Sequence, residues 1–303
     1  MDNQTSIATF LLWEFSKTRE MQIIHFLLFL ALYVVTVTGN FFIVFAIVFD
    51  PHLHTPMYFF LMNLAIQDIG QISTIIPKSV INSLLTIRTI SYSGCVAQVF
   101  FFICFVGSDI ALLTIMAYDR YVAICNPLQY EMLMNKRACT KMIGGSWIAG
   151  ILNAAIHTTG TFILPFCSNV VNQFFCEIPQ LLKITCSDIY LNEVGVILFI
   201  ALIVCGCFVF IIVTYVKIFS AVLRIPSVHG RKKALSTCLP HLVVFSVLLS
   251  TSYVVFFKSP SSKASLLDLT LSMIYSIIPP LMNPLIYSMR NKDFKVALSK
   301  LLM

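Results

Sequence analysis

Asp68 and Asp109 each stand inside an apolar run, LMNLAIQDIG for the first and VGSDIALL for the second. An ionisable side chain in lipid costs about 2.5–3.5 kcal/mol on insertion scales, so it turns toward a bundle interior and a partner. Asn40 and Asn283 occupy similar runs and need hydrogen bonds there. Two chemistries are open to this set: an interhelical polar cluster that holds helices together, or a water-filled pocket where the two carboxylates bind a small cation. A third charged feature, Asp119-Arg120 in MAYDRYVAIC, follows a long apolar stretch. The arginine stem is long enough to reach an interface, and Asp119 neutralises it locally. No Cys/His spacing resembles a zinc site, no glycine loop cradles a phosphate, and no nucleophile has an evident base. An enzyme is not expected.

The elements that position these residues follow from composition. The chain is 58% hydrophobic and 11% charged, whereas soluble chains carry about a quarter charged residues. A bilayer core needs roughly 20 apolar residues per helix. Such runs fall near 23–49, 57–83, 96–119, 141–165, 194–219, 235–257 and 266–289. The expected fold is therefore an all-α membrane protein, a seven-transmembrane helix bundle forming one domain over 1–303. Lys and Arg are retained on the cytoplasmic side, and Arg120, Lys136, Arg137, Lys217, the Arg231-Lys232-Lys233 cluster and Arg290 share one side of this topology. Residues 1–22 are then extracellular, and topology explains the net charge of +7 without nucleic acid. Asn3-Gln4-Thr5 is a glycosylation acceptor on that outer side. No cleavable signal peptide is evident in the first twenty residues.

Cys95, Cys167, Cys176 and Cys186 fall in outer segments, where disulfides persist, and four cysteines allow three pairings. The long outer connection from about Phe166 to Glu193 is expected to fold over the bundle mouth. Pro279, Pro280 and Pro284 should kink the last span. In the cytoplasmic tail, 291–303, Phe294, Ala297, Leu298 and Leu301 share a face, which reads as a short amphipathic C-terminal helix.

Six stretches together carry a resemblance over nearly the whole chain: Gly39-Asn40, LHTPMYFFLMNLAIQD (53–68), MAYDRYVAIC (116–125), the outer-loop cysteines, KALSTCLPHL (233–242) and PPLMNPLIYSMRN (279–291). The chain resembles the vertebrate odorant receptors within the rhodopsin-like G-protein-coupled receptors. The resemblance implies pairings Cys95–Cys176 and Cys167–Cys186. It also implies an inner switch of Asp119, Arg120, Tyr121 and Tyr215, with Lys233, Ser236, Thr237 and His241 at the inner end of the sixth span, and Asn283, Pro284 and Tyr287 relaying the rearrangement. Asp68 and Asp109 would hold an allosteric sodium ion, the only cofactor expected. Asp109 stands where the family usually has glutamate, one methylene longer, and Leu248-Leu249-Ser250 replaces an aromatic-rich segment.

By the same analogy the ligand pocket lies between spans three, five and six, at Phe102, Ile103, Val106, Phe199, Ile203, Leu249, Ser252, Tyr253 and Phe256. Its apolar walls suit a small hydrophobic odorant and give no carboxylate for an amine. The implied function is odorant sensing at the plasma membrane, with a stimulatory, olfactory-type heterotrimeric G protein raising cyclic AMP. A non-olfactory chemosensory receptor is the nearest alternative, and a cation channel or transporter using Asp68 and Asp109 is the alternative of a different class. A light-sensing opsin is disfavoured because no lysine occurs between Lys263 and Lys292.

Overall fold

The computed structural model describes residues 7–13, 18–85, 87–186, 190–224, 242–251, 253–254, 266–290, 294, 296 and 299, with side chains at 190–193, 266–268 and 285–290 outside that description. The long helices are α1 (Arg19–Phe49), α2 (Pro56–Leu85), α3 (Tyr92–Cys125), α5 (Lys136–Phe162), α7 (Tyr190–Leu223) and α9 (Leu266–Arg290). Shorter ones are α4 (Tyr130–Leu133), α6 (Ile178–Leu182) and α8 (Leu242–Thr251). Lipid offers no hydrogen bonds, so a spanning backbone must satisfy itself, as a helix does.

The distribution of side chains is inverted relative to a water-soluble protein. On α1, Leu27, Val34, Val35 and Phe41 are exposed, whereas Thr36 and Asn40 are fully buried. Continuous apolar surface of this kind needs a non-aqueous neighbour. Among the described residues, four helices are long and apolar enough to cross a membrane: α1, α2, α3 and Val194–Leu223 within α7. Helices α5 and α9, with 27 and 25 residues, have sufficient length but are more polar. Their polar groups turn inward, Ser146, His157, Thr158 and Thr161 from α5 and Ser272, Ser276 and Asn283 from α9, all buried. Of the expected sixth span, residues 242–251 and 253–254 are helical, and the other positions lie outside the described residues.

Helix α3 is central, packed against α2, α5 and α7, while α9 packs on α1 and α2. Among the described residues, two apolar clusters divide the core. One gathers at the Cys125 end of α3 around Met116, Val122, Tyr215, Ile218 and Phe245. The other gathers at the Tyr92 end around Phe10, Cys95, Val99, Phe102, Phe174 and Phe175. Phe294, in a helical position, is buried in the first cluster, while Val296 and Ser299 are helical and exposed. Ala297, Leu298 and Leu301, expected on the same face as Phe294, lie outside the described residues.

The helical bundle carries one short element of another kind. Strands β1 (Thr9–Leu11) and β2 (Thr89–Ser91) pair antiparallel, Phe10 opposite Ile90. Leu11 also joins the outer connection: its N–H donates to the Asn169 carbonyl at 2.7 Å, and Val171 N–H donates back to the Leu11 carbonyl at 2.9 Å. Phe10 is fully buried, edge-on to Phe166. This part of the expected N-terminal tail is thus a component of the cover over the bundle. Three residues per strand are too few to leave a readable alternation in sequence.

Both disulfides implied by the resemblance are present, Cys95–Cys176 and Cys167–Cys186, with Cα separations of 5.6 and 5.3 Å. The first fastens the outer connection to α3. Gln98, one turn along α3, accepts from Cys176 N–H at 2.8 Å and donates to the Thr74 carbonyl of α2 at 3.0 Å.

Candidate functional site

Two of the three α9 prolines have their missing bonds replaced by other helices. A helical proline has no N–H for the carbonyl four residues earlier, so Pro284 leaves Pro280 O unmatched and Pro280 leaves Ser276 O unmatched. Asn40 of α1 donates to the Pro280 carbonyl and Gln71 of α2 donates to the Ser276 carbonyl, each at 3.0 Å. Gly39 makes the first contact sterically open: a Cβ there would lie 3.0 Å from Pro284 Cβ. Beside these bonds, Asn283 donates to both Asp68 carboxylate oxygens at 2.9 and 3.2 Å. Asp109 is buried and interacts electrostatically with Asp68. Oδ1 atoms of Asp109, Asn40 and Asn283 are buried without hydrogen-bond partners.

Toward the Tyr92 end lies a cavity of about 530 Å³ bounded by α3, α5, α6, α7, α8, Tyr253 and α9. Phe102, Ile103, Val106, Leu249 and Tyr253, expected from sequence, line it. Phe199 and Ile203 do not: they are 63% and 50% exposed on the outer surface of α7. Ile197, Ile200, Ala201 and Val204 take their place, and their i, i+3, i+4, i+7 spacing marks the inward face. Helix α7 is apolar on all sides, so its sequence contains no phase from which the face could be read. Ser252 and Phe256 lie outside the described residues.

Several lining residues escaped sequence reasoning. Asn153 and His157, one turn apart on α5, put polar groups on an otherwise apolar wall. Ile178 of the outer connection and Tyr275 of α9 close the remaining sides. The Phe102 ring meets Phe175 and Tyr275 edge-on, at centroid distances of 5.3 and 5.8 Å. Only a polar pair at i, i+4 inside the fourth apolar run could have drawn attention to Asn153 and His157.

Glu177, adjacent to the disulfide cysteine, binds the cover to α9. Its buried carboxylate accepts from Tyr275 hydroxyl at 2.5 Å, Ser272 hydroxyl at 3.1 Å and Gln173 amide at 3.2 Å. Burial pushes the carboxyl above the usual carboxylate range, against the opposing pull of the Tyr275, Gln173 and Ser272 hydrogen bonds and of Lys183. A folded-state pKa above the unfolded one makes folding favour the protonated form. That contribution is fully present below about pH 4, the ordinary glutamate value, and is lost as pH rises through the folded value. The purified protein in detergent should therefore lose thermal stability across that rise. Glu177→Gln, which keeps the shape and removes the titration, should flatten this part of the profile; an unchanged slope would contradict the assignment.

At the opposite end, Asp119 is buried and accepts from the Tyr130 hydroxyl at 2.9 Å. Burial, reinforced by the Asp119 charge and hydrogen bond, pushes the Tyr130 phenol upward, so it remains a donor. Lys217 of α7 lies over the Tyr121 ring, 5.7 Å from its centroid, and joins α7 to α3. Tyr215 is buried nearby, its ring 6.2 Å from Phe219. The helix continues one turn past Arg120, which is partly buried. Lys233, Ser236, Thr237, His241, Asn3 and the Tyr287 side chain lie outside the described residues, while Pro284 is buried in α9.

The chain is a multi-pass helical membrane bundle with an apolar cavity at one end and a charged pair near a helix terminus at the other. The olfactory receptor family profile matches residues 29–303, and the chain belongs to that family. It is 50% identical to human olfactory receptor 14C36 over 303 residues, covering all of this chain and 97% of the relative. Human olfactory receptor 14J1 is 46% identical over the whole chain and 94% of its own length. Gorilla olfactory receptor 1G1 is 43% identical over 99% of this chain and 96% of its own. The protein is an odorant-sensing G-protein-coupled receptor of the membrane and not an enzyme.

Proposed function

We propose that the cavity between α3, α5, α7 and α8 binds a small, mostly hydrophobic odorant and that binding drives a stimulatory, olfactory-type G protein to raise cyclic AMP. The observation that carries this reading is the continuity of α3, whose Phe102, Ile103 and Val106 line the cavity and whose Asp119 and Arg120 stand near its other end. An agonist that binds one packing of α3 against its neighbours better than another shifts the population between them. The cysteine-bonded cover and N-terminal strand share the cavity end, which supports an extracellular N-terminus in the plasma membrane, since disulfides persist in oxidising surroundings.

The test is a cyclic AMP assay across an odorant panel, run beside Arg120→Ala. Agonist responses should vanish in the variant at unchanged surface level; a retained response would remove Arg120 from the switch. The polar layer also fits a sodium ion. Hard cations take oxygen ligands, and Asp68, Asp109, Asn40 and Asn283 present carboxylates and unmatched amide oxygens. In the same assay, replacing sodium by potassium should raise basal signal, and Asp109→Asn should abolish the difference. Equal basal signal in both salts would dismiss the ion.

A further inference from the structure

The cavity is walled unevenly. On the side of the outer connection, Phe174, Phe175, Cys176, Ile178 and Leu181 are each 2% exposed or less, and Ile178 lines the cavity. Two disulfides and the bonds to Leu11 hold this cover down. Its buried polar groups, Gln173 and Glu177, bond to each other and to Ser272 of α9. On the side of α7 and α8 the same cavity is lined by Leu198, Leu202 and Tyr253, which are 49%, 72% and 62% exposed. A side chain that bounds a cavity and also meets the outside is the full thickness of the wall at that point.

Leu198, Leu202 and Cys205 follow one another at i, i+4, i+7 and share a flank of α7. All three line the cavity and are exposed. Across from them stand Leu249 of α8 and Tyr253, one turn further on. Toward the Cys125 end of α3 the gap between the two helices is shut, because the rings of Phe208 and Phe245 stack there with centroids 6.1 Å apart. Leu198 and Leu202 lie four and eight residues into Val194–Leu223, the membrane-crossing stretch of α7. That is about 6 and 12 Å along the axis, so what lies outside them is hydrocarbon. Hydrocarbon excludes ions and concentrates apolar molecules, about fourfold for each added methylene.

We propose that small, neutral, lipid-dissolved ligands enter the cavity sideways from the bilayer, through a portal between α7 and α8 bounded by Leu198, Leu202, Cys205, Leu249 and Tyr253. The proposal rests on the odorant-site reading only for its link to sensing; the portal itself stands on the wall.

The test mixes full-length receptor in phosphatidylcholine vesicles with a decanol bearing a diazirine, flashes it after increasing delays, and maps adducts by mass spectrometry. Label on Val106, inside the cavity, should reach its plateau about tenfold later in the double variant Leu198→Trp, Leu202→Trp. It should rise sooner in Leu202→Ala, with the plateau unchanged in both. Val34 and Val35, exposed on α1, should label on the same schedule throughout, which checks folding and lipid delivery. Unchanged timing in both portal variants, an altered plateau with unchanged timing, or no label on Val106 in the unaltered receptor would overturn the portal. Ile178→Ala, which thins the cover, should leave the timing as it was; a faster rise in that variant alone would move the entrance to the cover. Ala201→Phe, which fills the cavity, separates the two levels. It should abolish both the Val106 label and cyclic AMP responses to the odorant panel, whereas lost label with full responses would refute the odorant-site reading and leave the portal standing.

Discussion

Gly150→Ala should cost the receptor most of its surface expression and about 3 kcal/mol or more of stability. Glycine 150 is where α5 meets α3. A Cβ there would fall well inside contact distance of Ser108 Oγ and the Cys104 carbonyl oxygen, and 3.0 Å from Ser108 N. Two of those atoms are backbone, so no rotamer change relieves the overlap and the helices must separate. Gly107 of α3 sits opposite; its own Cβ would lie 3.4 Å from Gly150 Cα. Small residues let membrane helices approach this closely, and van der Waals packing is then their main attraction. Separation would also disturb the cavity, since α3 and α5 form two of its walls. The same helix supplies controls: Gly144 and Gly145 have nothing within 4 Å of an added Cβ. Alanine at either should be neutral or stabilising, by up to about 1 kcal/mol from helix propensity. Thermal unfolding in detergent and surface staining would measure all three variants. Equal behaviour of Gly150→Ala and Gly144→Ala would show that α3 and α5 do not touch at this point.

The second large effect is a coupling. Asn40→Ala removes the donor that satisfies the Pro280 carbonyl and should destabilise by about 2 kcal/mol, because that buried carbonyl then loses its hydrogen-bond partner. Pro284→Ala restores the N–H that belongs to the same carbonyl. In that background Asn40→Ala should cost about 1 kcal/mol less, and the double-mutant cycle should report an interaction of that size. Strict additivity would mean that Asn40 acts elsewhere. Gln71 and Pro280 form a parallel pair through the Ser276 carbonyl, so two amides on neighbouring helices replace two of the three backbone bonds that the prolines of PPLMNP remove. The same bonds hold α9 against both α1 and α2.

Much of the architecture was legible because lipid imposes a simple constraint: long apolar runs must be helices with their backbone bonds closed internally. The runs at 23–49, 57–83 and 96–119 correspond to α1, α2 and α3. The helices extend beyond the apolar runs, since α3 begins at the Ser91 cap and continues to Cys125. Charged and amide residues in those runs also announced themselves, because burial in a bundle is their cheapest refuge from lipid. Their partners did not. Asn40 and Asn283 are separated by most of the chain, and nothing in either segment states that one meets a proline-freed carbonyl while the other meets Asp68.

Sequence alone determined that this chain is a helical membrane protein with a polar interior layer and a cross-linked outer cover, since hydrophobicity, charge and residue type act locally and need no knowledge of neighbours. Only the tertiary structure decided which face of α7 looks inward, why Gly150 cannot bear a side chain, and that Asn153 enters the cavity. A helix that is apolar all round has no phase, and α5 mixes small, polar and apolar residues around its circumference. Its orientation is fixed by the close approach to α3, a contact between segments far apart in the chain.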